Sequence, residues 1–128
     1  MTRAALYLRV STDKQTTDNQ ERELLAVAKQ RGWDVVETYD DNGVSGAKSR
    51  EYRKQFDKLL KDATRGKIDV VLAWSVDRLG RSLKDLVGFL DELHAVGCDL
   101  YLHQQGIDTT TPAGKAMYQM VGVFAEFE

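Results

Sequence analysis

Ile68-Asp69-Val70-Val71-Leu72-Ala73-Trp74 is a near-continuous apolar run. A strand with so little alternation is buried on both faces, the habit of strands inside a mostly parallel sheet with helices packed on either side. Its neighbours fit that reading. Before it, Tyr52, Phe56, Leu59, Leu60 and Ala63 keep helical spacing after a capping residue at Ser49, and Gly66 closes the helix. After it, Ser82 caps a helix carrying Leu83, Leu86, Val87, Leu90 and Leu93, which Gly97 ends.

Working outward, the same alternation continues. Residues 4–10 (AALYLRV) read as a strand. Thr17 and Gln20 form a capping box for a helix whose Leu24, Leu25, Ala28 and Arg31 stem share one face, with Gly32 as its stop. Residues 34–39 (DVVETY) read as a second strand followed by a polar, Gly-rich loop over 40–48, and 98–103 as a fourth. Thr111-Pro112 starts the last helix, an N-cap followed by proline at the first helical position. A βαβαβαβα order implies a single α/β domain over 1–128, with a mostly parallel sheet of four or slightly more strands and right-handed crossovers.

The totals narrow the class. At 42% hydrophobic and 30% charged residues, the chain has the composition of a soluble globular protein. Cys98 is the only cysteine, so no internal disulfide forms, which fits a reducing cytoplasm. His94, His103 and Cys98 make no zinc set and read as packing or surface residues; Trp33 and Trp74 read as core or strand edge. No signal peptide or membrane-spanning run is evident. With 18 basic and 20 acidic residues the net charge is −2. If the partner is nucleic acid, either the positive charge is focused on one face or a separate binding part supplies the affinity.

The chemistry gathers in two segments, Tyr7-Leu8-Arg9-Val10-Ser11-Thr12 and Asp77-Arg78-Leu79-Gly80-Arg81-Ser82. Each closes an apolar run that reads as a strand, so Ser11, Asp77–Arg81 and the 40–50 loop all follow strands, and ligands of such sheets sit beyond the carboxyl ends of the strands. Taken singly, a serine after a strand is ordinarily a turn or cap residue, and Asp77-Arg78 an ordinary loop ion pair. Together they supply a hydroxyl, a carboxylate and three arginines at one sheet edge. Arginine forks match phosphate oxygens, and donors preset on a five-coordinate phosphorus are each worth roughly a hundred- to a thousandfold in rate. Asp77 is the nearest carboxylate able to act as base, leaving-group acid or arginine orienter.

The segment from Tyr7 to Gln15 resembles the active-site signature of the serine recombinases, the resolvase/invertase family, and Asp77-Arg78-Leu79-Gly80-Arg81 resembles that family's second motif. Asp41-Asn42-Gly43-Val44-Ser45-Gly46 and Gly106-Ile107-Asp108-Thr109 resemble further family blocks in the right order. The resemblance implies that Ser11 becomes joined to the 5′-phosphate of cut DNA, releasing a 3′-hydroxyl. It implies that Arg9, Arg78, Arg81 and Arg50 bind the scissile phosphate beside Asp77, with Gln15 and Gln20 in support. It implies no metal and no cofactor, a homodimer that becomes a tetramer during strand exchange, no membrane, and a prokaryotic cytoplasm. One family lysine late in the second helix has no clear counterpart, since Lys61 is nearest but alignment points to Ala63 or Thr64. Family members also continue beyond Glu128 into a DNA-binding domain, so a longer parent is expected.

Two other classes stay open on residues alone: a non-catalytic oligomerisation module on the same fold, and a serine-dependent phosphatase or phosphotransferase. The second would want a metal-binding carboxylate pair, and none stands out. The last helix carries Ala116, Met117, Met120, Val121, Val123, Phe124 and Phe127, an apolar face wider than one domain normally covers and therefore an expected association surface.

Overall fold

The computed structural model describes residues 2–8, 18–41, 54–74, 83–104 and 106–126. Its elements are β1 (Arg3–Leu8), α1 (Asp18–Arg31), β2 (Asp34–Asp40), α2 (Lys54–Thr64), β3 (Val70–Ala73), α3 (Leu83–Ala95), β4 (Asp99–Leu102), β5 (Ile107–Asp108) and α4 (Pro112–Ala125). The strands form one five-stranded sheet in the order β2-β1-β3-β4-β5. The first four are parallel, and β5 returns antiparallel to β4, with Tyr101 opposite Asp108 and Leu102 opposite Ile107.

The period-2 alternation of β1 divides the core in two. Ala4, Leu6 and Leu8 face α1, where Leu24 and Ala28 cover them together with Val70 and Leu72 of β3. Ala5 and Tyr7 face the other way, with Val71, Ala73, Leu100 and Leu102, onto Phe56, Leu59, Leu60 and Ala63 of α2 and Phe89, Leu90 and Leu93 of α3. Tyr7, Phe56 and Phe89 form a run of tilted rings, with centroids 5.2 and 5.0 Å apart. Every residue of β3 is buried, as its apolar run requires.

Several sequence expectations are refined. Leu25 is 40% exposed rather than part of the packed face of α1. Among the described residues only α1 packs on that side of the sheet, and a position about 100° round from Leu24 turns to solvent. Tyr52 and Ser49 of the expected α2 face and cap, and the Ser82 cap of α3, lie outside the described residues. Strand β3 is shorter than 68–74: Ile68 is buried, but Asp69 turns aside to take Arg3 in an ion pair at 3.1 Å. The glycine stops stand, with Gly32, Gly66 and Gly97 in left-handed backbone at φ 72°, 75° and 74°.

The corner that turns β5 into α4 is tied by side chains. Thr109 Oγ1 accepts from the Leu100 N–H at 2.8 Å and donates to Asp99 at 3.0 Å. Thr111 caps α4, accepting from the Gly114 N–H at 3.0 Å, with Pro112 in the first turn as the sequence predicts. Gly114 passes so close to β5 that a Cβ there would lie 1.7 Å from the Asp108 carbonyl oxygen. Asp108 also holds Arg31 of α1 at 2.5 Å, and that guanidinium lies over the rings of Trp33 and Tyr101.

Candidate active site

The sheet order creates a crevice. From β1 the chain crosses to β2 on one side; from β3 it proceeds to β4 on the other. The reversal point of a doubly wound sheet therefore falls between β1 and β3, where ligands bind. These two strands are hydrogen-bonded neighbours in register, Tyr7 beside Ala73. The segments that leave them, at residues 9 and 75, are the ones carrying the two motifs. Leu8 is likewise in register with Asp40 of β2, so the 40–50 loop leaves from the same edge.

Arg9, Ser11, Gln15, Arg50, Asp77, Arg78 and Arg81 lie outside the described residues. Gln20 is described. It stands in the first turn of α1, only 8% exposed, and its Oε1 finds no hydrogen-bond partner among the described residues. A buried acceptor left unsatisfied is costly, and binding or orienting a ligand is one of the reasons such a group is kept. Its place, one short segment after Ser11, puts that acceptor at the carboxyl edge of β1.

Asp41 is a structural residue of this edge to which the sequence reading gave no role. It is buried at the end of β2, and its carboxylate accepts from the Tyr7 hydroxyl at 3.0 Å and from the N–H groups of Gln55 and Phe56 at 3.0 and 2.9 Å. One side chain thus ties the ends of β1 and β2 to the first turn of α2. Its signal in the sequence was an acid directly after a strand, paired with a tyrosine two residues before Arg9. Deeper along β2, the Tyr39 hydroxyl donates to the buried Asp62 at 2.6 Å, and burial followed by that carboxylate pushes the phenol far above its ordinary range.

The β3 and β4 exits are pinned as well. The N–H groups of His103 and Gln104 donate to the carbonyls of Ala73 and Trp74 at 3.0 and 2.9 Å. The His103 ring lies against Trp74 with centroids 5.0 Å apart, its Nδ1 is 3.1 Å from the Tyr101 hydroxyl, and its Nε2 is 3.2 Å from Glu23 of α1. This histidine packs and braces the edge. Cys98 is buried, and burial, followed by Asp99 and Asp69, pushes its thiol up to about 12, so it is an inert packing group. Among the described residues no group of three or more His, Cys, Asp or Glu side chains is placed to hold a metal ion. No helix among them is long and apolar enough to cross a membrane.

Two neighbouring strands at the reversal point of a doubly wound α/β sheet are thus each followed in sequence by a segment that carries serine and arginine. Residues 4–128 match the family model for the resolvase N-terminal domain, and the chain belongs to that family. It is 34% identical over 122 residues to the DNA-invertase of Escherichia phage P1, covering 95% of this chain and 60% of that protein. It is 33% identical over 124 residues to the transposon Tn552 resolvase of Staphylococcus aureus, covering 95% and 57%. In three dimensions it is similar to the N-terminal catalytic domain of TP901-1 integrase, with a TM-score of 0.89, 32% identity and coverage of 98% of this chain and 95% of that one. A resolvase-family site-specific recombinase from Streptococcus pneumoniae gives a TM-score of 0.84 at 27% identity, covering 99% and 87%. The chain thus has the catalytic-domain fold of the serine recombinases, and spans about 60% of the length of the P1 relative.

Proposed function

We propose that this chain is the catalytic part of a site-specific DNA recombinase that cuts and rejoins strands through Ser11. The Ser11 Oγ attacks the scissile phosphorus, a bond forms from Oγ to phosphorus, and the bond to the 3′ oxygen breaks. The serine proton leaves, the 3′ oxygen takes one up, and the 5′-phosphate stays on the enzyme as a phosphoserine ester. Rejoining is the reverse, with the 3′-hydroxyl of an exchanged strand as nucleophile and Ser11 as leaving group. One phosphodiester is exchanged for another of similar energy, so the cycle requires no cofactor and no energy-rich co-substrate.

In this reading Arg9, Arg78, Arg81 and Arg50 neutralise the charge on the non-bridging oxygens, where guanidinium forks reach two oxygens at once. Asp77 moves the proton or orients an arginine, and Gln15 and Gln20 support the site. The observation that carries the reading is the register of β1 and β3, which brings the two motif-bearing exits side by side at the reversal point. The buried Gln20 acceptor in the first turn of α1, without a partner among the described residues, supports it.

The longer relatives support a further part of the proposal: recognition of the DNA site belongs to protein outside these residues. Residues 1–128 then bind duplex DNA weakly and without sequence preference, acting on DNA in a prokaryotic cytoplasm. The exposed far half of α4 is proposed as the dimer surface, with tetramers forming during strand exchange. Trapping of a nicked duplex on Ser11 tests the core of this. A covalent adduct that disappears in Ser11→Ala is expected, and an adduct that persists removes Ser11 from the mechanism.

A further inference from the structure

The charge of this chain is unevenly spread. Residues 48–67 hold eight basic side chains against three acidic ones, while the other 108 residues hold ten basic against seventeen acidic. Much of that excess lies along one described element. Lys54, Lys58 and Lys61 recur along α2 at spacings of four and three, Arg65 just past its end continues the line at a spacing of four, and the four form a single exposed stripe that exposed Lys67 follows. The opposite face of the same helix, Phe56, Leu59, Leu60 and Ala63, is packed in the core, which fixes the stripe rigidly outward.

Among the described residues, Lys61 pairs with Asp57 at 3.0 Å, whereas no ion pair neutralises Lys58, Arg65 or Lys67. Those three line one shallow groove between α2 and the edge strand β2, with the buried Asp62 and with Glu37. Asp62 is engaged by the Tyr39 hydroxyl, and Glu37 accepts from the Thr38 N–H at 3.2 Å. Lys58 lies over the face of Tyr39 at 6.0 Å. The stripe also has a direction. It starts at Lys54, beside the Gln55 N–H that Asp41 holds, and so begins at the carboxyl edge of the sheet and runs away from it.

We propose that this ridge, Lys58, Arg65 and Lys67 above all, is a docking surface for the phosphate backbone of duplex DNA flanking the point of cleavage. The inference rests on DNA being the substrate. From Lys54 to Arg65 the helix rises about 16 Å. One DNA strand presents a charge about every 3.4 Å along the axis, so the stripe matches the length of roughly five phosphates. A line of cations leading from the catalytic edge suits a partner that is itself a line of anions. It also answers how a chain of net charge −2 approaches DNA: the positive charge is focused on one face.

The test is the salt dependence of duplex binding by residues 1–128, read as fluorescence anisotropy. A triple variant, Lys58→Gln/Arg65→Gln/Lys67→Gln, is compared with a charge-matched control, Arg22→Gln/Lys29→Gln/Lys115→Gln, drawn from α1 and α4. Each lost phosphate contact makes the slope of log affinity against log salt shallower by about 0.9, so the ridge variant is expected to flatten it by about 2 to 3 and the control to leave it unchanged. If the triple variant does not fold, as judged by circular dichroism, Lys58→Gln and Arg65→Gln singly are each expected to flatten the slope by about 1. A wild-type slope in the ridge variants, or equal flattening in ridge and control, overturns the proposal. An unchanged slope with an altered mass by light scattering also overturns it, and assigns the ridge to a protein contact. An adduct on Ser11 with no slope change leaves the catalytic reading standing alone; a slope change without an adduct leaves only the ridge.

Discussion

The first two turns of α4 and its last two meet different surroundings. Near its start, Thr111 Oγ1 accepts from Gly114 and donates to the Asp108 carbonyl at 2.9 Å, Gly114 lies against the backbone of β5, and Tyr118 bonds to Asp91 of α3. Further on, Met120, Val123 and Phe124 are 57%, 57% and 58% exposed, although all three are apolar. Apolar side chains left in water contribute little to the stability of an isolated domain, and a cluster of them is what the proposed association surface requires. The near half of the helix is tied into the domain; in the far half Val121 still packs on the core, but Met120, Val123 and Phe124 face solvent, the surface proposed above for a second copy.

The sharpest way to break that division is Gly114→Ala. A methyl group placed 1.7 Å from a carbonyl oxygen must push α4 away from β5. Overpacking against backbone is expected to destabilise the domain by about 3 kcal/mol or more, measured as a fall in the urea midpoint. An unchanged midpoint would mean that α4 is not seated as described.

Asp108→Asn should follow, at about 1 to 3 kcal/mol, the worth of hydrogen bonds to a charged group. Burial pushes the Asp108 carboxyl up, but hydrogen bonds from Thr110 and Arg31 together outweigh it and leave it below its ordinary value. A depressed folded-state value stabilises above the unfolded value of about 3.9, and that contribution is lost as pH falls through the folded value. The gap between wild type and variant should therefore be full at pH 7 and shrink below about pH 4. A gap independent of pH would show that the charge on Asp108 is not what matters.

Thr111→Ala should cost about 1 kcal/mol, the usual worth of an N-cap, with Thr111→Ser recovering most of it. The paired change Met120→Ser/Phe124→Ser should alter monomer stability by no more than about 0.5 kcal/mol, as for other exposed positions. It should also lower the mass of the chain by light scattering at high micromolar concentration. Loss of stability in place of association would return the far half of α4 to the domain.

Much of the fold was legible in the residues. The strands β1 and β3 announce themselves because a parallel strand buried on both faces needs an apolar run, and the Thr111-Pro112 start because few residues suit those positions. Ser11 and the arginines lie outside the described residues; what the sequence made legible is that their segments adjoin the apolar runs of β1 and β3. What escaped depended on partners distant along the chain. Asp41 became meaningful only once β1 and the start of α2 stood beside it, and β5 is two residues held by a threonine side chain, too short to leave a pattern. The basic ridge was hidden by a net charge that averages over the whole chain.

The central claim is that Ser11, in the segment that follows β1 in sequence, is the group that becomes joined to DNA. Its most direct measurement uses the protein and a duplex substrate nicked so that cleavage cannot be reversed. After denaturation and proteolysis, mass spectrometry of the DNA-linked peptide should place a 5′-phosphate on Ser11, with a free 3′-hydroxyl on the other fragment and no adduct in Ser11→Ala. An adduct on another residue, a 3′-linked phosphate, or cleavage at near wild-type rate by Ser11→Ala would contradict the account.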